Sequence, residues 1–527
     1  MAETLYNGIV LPDEWPPRTE NPYSRLPMRV PWLERPPEVI PIDGGRQLFV
    51  DDFLIAESGF SQRAHEPVKF PANPVFFPTT PWERHPSRPP ATLPKCGGIW
   101  WDEARQRLGM WYMAGYLGPM CHAESEDGLH WVRTPNDVVP GTNLVLPESL
   151  SADSGTVFPD LRAPDSERWK MMVREPNEPR RGGSFPARLF ASADGLHWRE
   201  IGETGPLDDR STCFYNPFRK RWVFSIRAWI PPRFRCRRYH EGGTFLEAAR
   251  WQKGEPPFWT GADLLDESGD DWPQLYNLDA VAYESLLLGF FQIHRGPPNA
   301  VGEKVGLPKQ TDLVVAYSRD GFHWYRPCRR PFLAPRREPG SWEYGYVEST
   351  GGLALIAGDE LWFYYSAYAG DPNRVDTASW HSNGMYANGA VGMARLRRDG
   401  FVSLEARYPG TSMTTRPVCF SAGRALFVNA NTAGADLRVE IADHEGRPIP
   451  GFAFDRSIPF TGNSTRARIR WQEQEWLDSL QGRPVRFRFR LDRGNLYAFW
   501  VAPSPDGDSG GWPAAGRITT LRDTPFL

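Results

Sequence analysis

Apolar residues in this chain come in short bursts, and the bursts come in pairs. Gly98-Ile-Trp-Trp-Asp102 is followed by Leu108-Gly-Met-Trp-Tyr112, and Thr156-Val-Phe-Pro-Asp160 by Trp169-Lys-Met-Met-Val173. Cys213-Phe-Tyr-Asn216 leads to Trp222-Val-Phe-Ser-Ile226, Ala280-Val-Ala-Tyr283 to Leu287-Leu-Gly-Phe-Phe291, and Leu353-Ala-Leu-Ile356 to Leu361-Trp-Phe-Tyr-Tyr365. Runs of this length, rich in aromatic and β-branched residues and bounded by turn formers, predict strands buried on both faces. A second repeat follows the pairs. Ser125-Glu-Asp127-Gly128-Leu-His130-Trp131 recurs as Ser192-Ala-Asp194-Gly195-Leu-His197-Trp198 and as Ser318-Arg-Asp320-Gly321-Phe-His323-Trp324, with a degenerate copy at Arg398-Asp399-Gly400-Phe401. Asp-Gly between apolar stretches is a strong hairpin signal, because glycine takes the positive φ of a tight turn. Its aspartates lie 67, 126 and 79 residues apart. The middle interval is about twice the first, so one copy is missing and five units of blade size are predicted.

Beyond Gly410 the period changes. Leu437-Arg-Val-Glu-Ile441, Arg466-Ala-Arg-Ile-Arg-Trp471 and Val485-Arg-Phe-Arg-Phe-Arg-Leu491 alternate apolar with charged residues. That pattern marks strands with one buried and one wet face. The chain therefore divides into an extended, proline-rich arm (1–45), a five-bladed β-propeller (46–410), an antiparallel β-sandwich (411–503) and a polar tail (504–527). The fold class is all-β.

Composition narrows the function. Sixty-one Lys and Arg face 64 Asp and Glu, for a net charge of −3. With no basic excess to neutralise phosphates, nucleic acid is not an expected partner. The 22 Trp are suited to packing between sheets and to stacking on sugar rings. The six cysteines are scattered without a CxxC pair, which argues against a zinc site or a disulfide framework. The first residues lack the basic and apolar regions of a secretory signal, and no apolar run is long enough to span a bilayer. No membrane association is expected, and a cytoplasmic location is the default expectation.

Several segments resemble a known family. QLFVDDFLI near residue 50, PWE at 81–83, FYNPFRKRWVFSIR at 214–227, YNLDAVAYES at 276–285 and SRDGFHWYRP at 318–327 resemble propeller proteins related to the N-terminal domain of glycoside hydrolase family 32. TTRPVCF and VRFRFRLDRGNLYAFW further on resemble the same set. The resemblance implies a five-bladed propeller followed by a sandwich, and a glycosidase acting on carbohydrate. It does not imply a substrate: the WMNDPNG, RDP and EC motifs of the family 32 enzymes are missing.

A propeller brings the starts of its innermost strands to one axis, and glycosidic cleavage needs two carboxyl groups across the scissile bond. The candidates are the acids that open the strands. Asp153, Asp209 and Glu348 are the expected catalytic set, with Asp209 or Glu348 as acid and Asp153 as base or nucleophile. Glu83, His85, Arg210, Tyr276, Asp279 and His294 are expected to bind substrate. Asp160 and Asp102, past the ends of apolar strands, read as turn residues, as do the repeated Asp127, Asp194 and Asp320. No metal and no cofactor are expected. The alternative is a non-catalytic carbohydrate-binding propeller, with aromatic and arginine contacts but no matched acid and base.

Overall fold

A computed structural model of the chain describes residues 2–18, 21–176, 184–231, 234–266, 273–377 and 379–519. Five sheets of the propeller each start with an innermost strand: Thr92–Asp102, Ser154–Pro159, Thr212–Asn216, Gln274–Glu284 and Gly345–Ser349. Each innermost strand pairs antiparallel with the next strand outward, in the order Arg107–Ala114, Trp169–Arg174, Arg221–Ile230, Leu286–Gly296 and Glu360–Tyr368. All five second strands are largely buried because they pack against sheets on both sides.

Hydrogen bonds between neighbouring sheets close the ring. Trp100 Nε1 donates to Val157 O at 2.9 Å, and Cys213 N to Thr156 Oγ1 at 3.4 Å. Thr212 Oγ1 donates to Leu278 O at 2.8 Å, Gln292 Nε2 to Val347 O at 2.9 Å, and Ile99 N to Gly351 O at 3.1 Å. The fifth sheet is completed by Val68–Lys69, which pairs with Gly389–Arg397 and ties the first part of the chain to the last blade.

The repeated turn has a mechanical role. In each copy the aspartate accepts from the backbone N–H groups two and three residues on, and the serine accepts from the glycine N–H. The glycines sit at φ of 75°, 75° and 88°. The carbonyls of the turn then receive aromatic donors from an adjacent blade. Tyr364 Oη donates to Gly128 O at 2.7 Å, Trp111 Nε1 to Gly195 O at 2.7 Å, and Trp259 Nε1 to Phe322 O at 2.6 Å. A side chain at Gly195 would meet Trp111 at 2.5 Å, so glycine is needed there for close approach as well as for its φ.

Two six-stranded sheets form the sandwich, and the strand pairing crosses the boundaries drawn from the sequence. Ile40–Pro41, Gln47–Leu48, Ile55–Ser58 and Ser61–Ala64 all join it from the first part of the chain, and Val402–Ala406 joins from the end of the expected propeller. The reason is burial: Leu5, Ile9, Leu11, Val30, Trp32 and Ile40 of the expected arm are core residues of the sandwich. In Val485–Leu491 the alternation holds, with every second residue buried.

The expected tail is also part of the fold. Trp512–Pro513 pairs with Tyr283 and Glu284, Trp101 N donates to Ala515 O at 2.9 Å, and Ala515 N donates to Ala354 O at 2.9 Å. Residues 512–518 thus lie across the ends of three innermost strands, opposite the strand starts where the acids gather. Residues 520–527 lie outside the described residues.

Propeller and sandwich are joined by buried charge. Arg46 Nη1 lies 2.7 Å from Asp399 Oδ2 and 2.9 Å from Thr465 O, its Nε lies 3.6 Å from Glu284, and its guanidinium stacks 4.1 Å from the Trp500 ring centre. Asp399 belongs to the degenerate fourth copy of the turn. Removing the cation leaves Asp399 buried with its charge less compensated. Arg46→Met should therefore destabilise the protein by about 3–5 kcal/mol. Denaturant unfolding of the two proteins checks this, and an unchanged midpoint refutes the role given to Arg46.

Candidate active site

The acids that open the innermost strands do meet, and arginines hold them. Asp153 precedes Ser154–Pro159 and is ion-paired to Arg174 Nη1, while Arg174 Nη2 lies 3.7 Å from Asp208. Arg227 Nε lies 3.7 Å from the other oxygen of Asp208, and its Nη1 is ion-paired to Asp209. An alternating chain results: Asp153, Arg174, Asp208, Arg227, Asp209. Asp208 also accepts from Trp229 Nε1 at 2.9 Å. Both arginines sit on second strands, so two-strand pairing carries their guanidinium groups to the mouth of the axis. Asp153 and Asp209 keep side-chain exposures of 14 % and 26 %, whereas Asp208 is buried.

Arg210 is wholly buried beneath them. It stands at φ 56°, an uncommon value for a residue with a side chain. Its N–H donates to Ser154 Oγ at 2.9 Å, Nη1 donates to Lys95 O at 3.0 Å, and Nε lies 3.6 Å from Glu348 Oε1. Lys95 Nζ approaches the same Glu348 oxygen at 3.7 Å, and Tyr368 Oη donates to the other at 3.3 Å. Asp279 lies in the same layer. Burial pushes its carboxyl up to about 7, against the opposing pull of Arg210, the Ala280 N–H, Arg237 and Ser349.

Tyr276 stands beside this layer with Lys309. Lys309 Nζ donates to Tyr276 Oη at 2.8 Å, and Tyr346 Oη donates to it at 3.0 Å. Burial by itself would raise the phenol, but Lys309, Arg235 and Arg227 outweigh it and bring Tyr276 down to about 7. Burial also lowers Lys309, to about 8, opposed by Tyr276. His294, its ring 6.1 Å from that of Tyr276, is held neutral by burial and by Lys309 and Arg235, and it contacts Pro297 O at 3.2 Å.

The structure thus brings together Asp153, Asp209, Arg210, Tyr276, Asp279, His294 and Glu348. It withdraws three residues from the roles expected of them. Glu348 has no exposed surface, and its oxygens face Lys95, Arg210 and Tyr368, so it cannot reach a substrate as acid. Glu83 is buried in a loop lock, accepting from Thr79 N at 2.7 Å, Thr80 N at 2.9 Å, Tyr112 Oη at 2.8 Å and Arg133 Nε at 2.7 Å. Its acceptors are used in holding the loop before the first blade. His85 is exposed on that loop and contacts Ser87 Oγ at 2.8 Å. Sequence reasoning missed Lys95, Arg174, Trp229, Lys309 and Tyr346; only the adjacency of Asp208 to Asp209 carried a signal. Among the described residues no group of three or more His, Cys, Asp or Glu side chains is placed to hold a metal ion.

No protein-family model matches the chain, and no curated protein matches it. Solved structures do. An N-acetylgalactosamine deacetylase from F. plautii, in complex with blood group B trisaccharide, aligns with 64 % of this chain and 96 % of its own at 14 % identity and a TM-score of 0.44. A thermostable family-43 glycoside hydrolase covers 58 % of this chain and 92 % of its own, at 14 % identity and a TM-score of 0.38. A family 32 β-fructofuranosidase from Bombyx mori covers 82 % of this chain and 94 % of its own, at 11 % identity and a TM-score of 0.38. What those proteins bind or cleave is a property of theirs.

The phenol of Tyr276 offers a direct test of this electrostatic environment. An ordinary tyrosine ionises near 10, so a tyrosinate absorbance step between about pH 6 and 8 is expected in the native protein. Tyr276→Phe should remove that step and leave the higher steps in place. A near-ultraviolet titration without the low step refutes the positive field assigned here.

Proposed function

We propose that the chain is a glycoside hydrolase, with its active site at the mouth formed by the starts of the innermost strands. The observation that carries the reading is the pairing of Asp153 and Asp209. They stand before neighbouring innermost strands, keep solvent access, and are both fixed to Asp208 through one arginine each. Asp153 serves as base or nucleophile and Asp209 as acid once a substrate displaces its ion pair with Arg227 and the carboxyl takes up a proton, the division that glycosidic cleavage demands of two carboxyl groups. Asp279, whose carboxyl burial raises to about 7, lies deeper, beside Arg210, Arg237 and Ser349. Trp229, 40 % exposed, offers an aromatic edge to a sugar ring beside Asp208.

One observation favours a second reading, a non-catalytic carbohydrate-binding propeller: Asp153 and Asp209 are both closed into ion pairs. Amide substitutions separate the two. On the hydrolase reading, Asp153→Asn and Asp209→Asn each lower turnover of an aryl glycoside or oligosaccharide by about a hundredfold to ten-thousandfold, with the melting transition kept. Glu348→Gln, by contrast, leaves two buried cations without their carboxylate and should act on stability, by about 3–5 kcal/mol. Sugar binding without turnover in the native protein selects the second reading, and full activity in both aspartate variants removes these residues from the chemistry.

A further inference from the structure

Among the described residues, the mouth carries more Lys and Arg side chains than Asp and Glu. Lys95 and Arg210 face Glu348, Arg174 faces Asp153 and Asp208, and Arg227 faces Asp208 and Asp209. Arg235, Arg237 and Lys309 remain, and among the described residues none of the three has a carboxylate within ion-pair distance. Arg237 Nη1 donates to Arg210 O at 2.7 Å and its Nη2 donates to Tyr276 O; Lys309 donates to Tyr276 and, at 3.3 Å, to Asn299 Oδ1. Backbone carbonyls and an amide satisfy hydrogen bonds without cancelling charge, and Tyr276, drawn down to about 7, offsets at most one of the three cations.

Of these three cations, Arg237 and Lys309 are buried, and Arg235 is partly exposed. Its guanidinium lies 4.7 Å from the ring centre of Trp229 and 5.0 Å from that of Tyr276. Arg227 lies 4.7 Å from the same Trp229 ring, so the exposed indole has two guanidinium neighbours. Arg235 Nη1 donates to Gln274 Oε1 at 2.6 Å, and its Nε has no hydrogen-bond partner in the described residues. The surrounding groups register the same positive field. Tyr276 is drawn down, while burial and the neighbouring cations together lower His294 and Lys309.

We infer that the mouth selects a sugar bearing an anionic substituent, a carboxylate or a sulfate, bound by Arg235 with the sugar ring against Trp229. A guanidinium fork suits either oxyanion, and the buried Arg237 and Lys309 lend field without competing for contact. Asp153, Asp208 and Asp209 share Arg174 and Arg227, which leaves one negative charge on that chain against the three cations Arg235, Arg237 and Lys309 beside it. The inference deepens the reading of this mouth as a carbohydrate site and rests on it for the sugar, but not on catalysis.

The test is therefore binding rather than turnover. Methyl glycosides of glucose and galactose are titrated calorimetrically into the full chain in three forms: neutral, 6-carboxylate and 6-sulfate. At least one anionic form should bind about tenfold or more tightly than its neutral parent, with the advantage shrinking as salt is added. The two anionic arms tell carboxylate from sulfate. Arg235→Met should erase the preference with an unchanged melting temperature, and Arg235→Lys should restore part of it. Equal binding of neutral and anionic forms, no binding of any form, or a preference that survives Arg235→Met overturns the inference. Hydrolysis of neutral glycosides alone would leave the hydrolase reading standing and this one fallen; anion-selective binding without hydrolysis would do the reverse.

Discussion

Five sheets can share one axis only if the last is fastened to the first, and in this chain that closure is made at several depths. Ile99 N bonds to Gly351 O near the axis, Tyr364 Oη bonds to Gly128 O further out, and Val68–Lys69 completes the rim of the fifth sheet. Everything polar at the mouth depends on this, because Asp153, Arg210, Asp279 and Glu348 come from four different sheets and have no local reason to meet. Were the ring to spring open, the buried cations would lose the acids that make their burial tolerable.

The interior of the mouth is then a problem in charge compensation. Arg210 is the central piece. Its unusual backbone conformation turns its side chain toward Glu348 and Lys95 O, and its own carbonyl takes a bond from Arg237. Buried ion pairs of this kind contribute little net stability relative to apolar packing. Their value lies in holding position. Arg174 and Arg227 fix Asp153 and Asp209 at the surface of the cluster, where each carboxylate keeps one side toward solvent.

How much of this was legible in the residues depended on range. The blades were, because each inner pair repeats an apolar pattern and each Asp-Gly turn repeats its own capping. The convergence of Asp153, Asp209, Asp279 and Glu348 was legible too, since repeat phasing alone places strand starts together. Accessibility was not. Nothing near Glu348 in sequence reveals that Lys95 and Tyr368 enclose it, and nothing near Glu83 reveals Arg133. The first and last segments were read as an arm and a tail because their few apolar residues show no period. Ile40 pairs with Val418 of the sandwich and Trp32 packs against His323 of a propeller turn, hundreds of residues away, which no local pattern can register.

The segment around Ala515 has a consequence for how the molecule assembles. It bonds to Trp101, Ala282, Ala354 and Ile356, residues drawn from three blades made much earlier during synthesis. Those blades cannot have their final partners until this late segment is available. Collapse of the ring is thus expected to be slow and strongly cooperative, since such long-separated contacts bear a large loop-closure entropy before they stabilise anything.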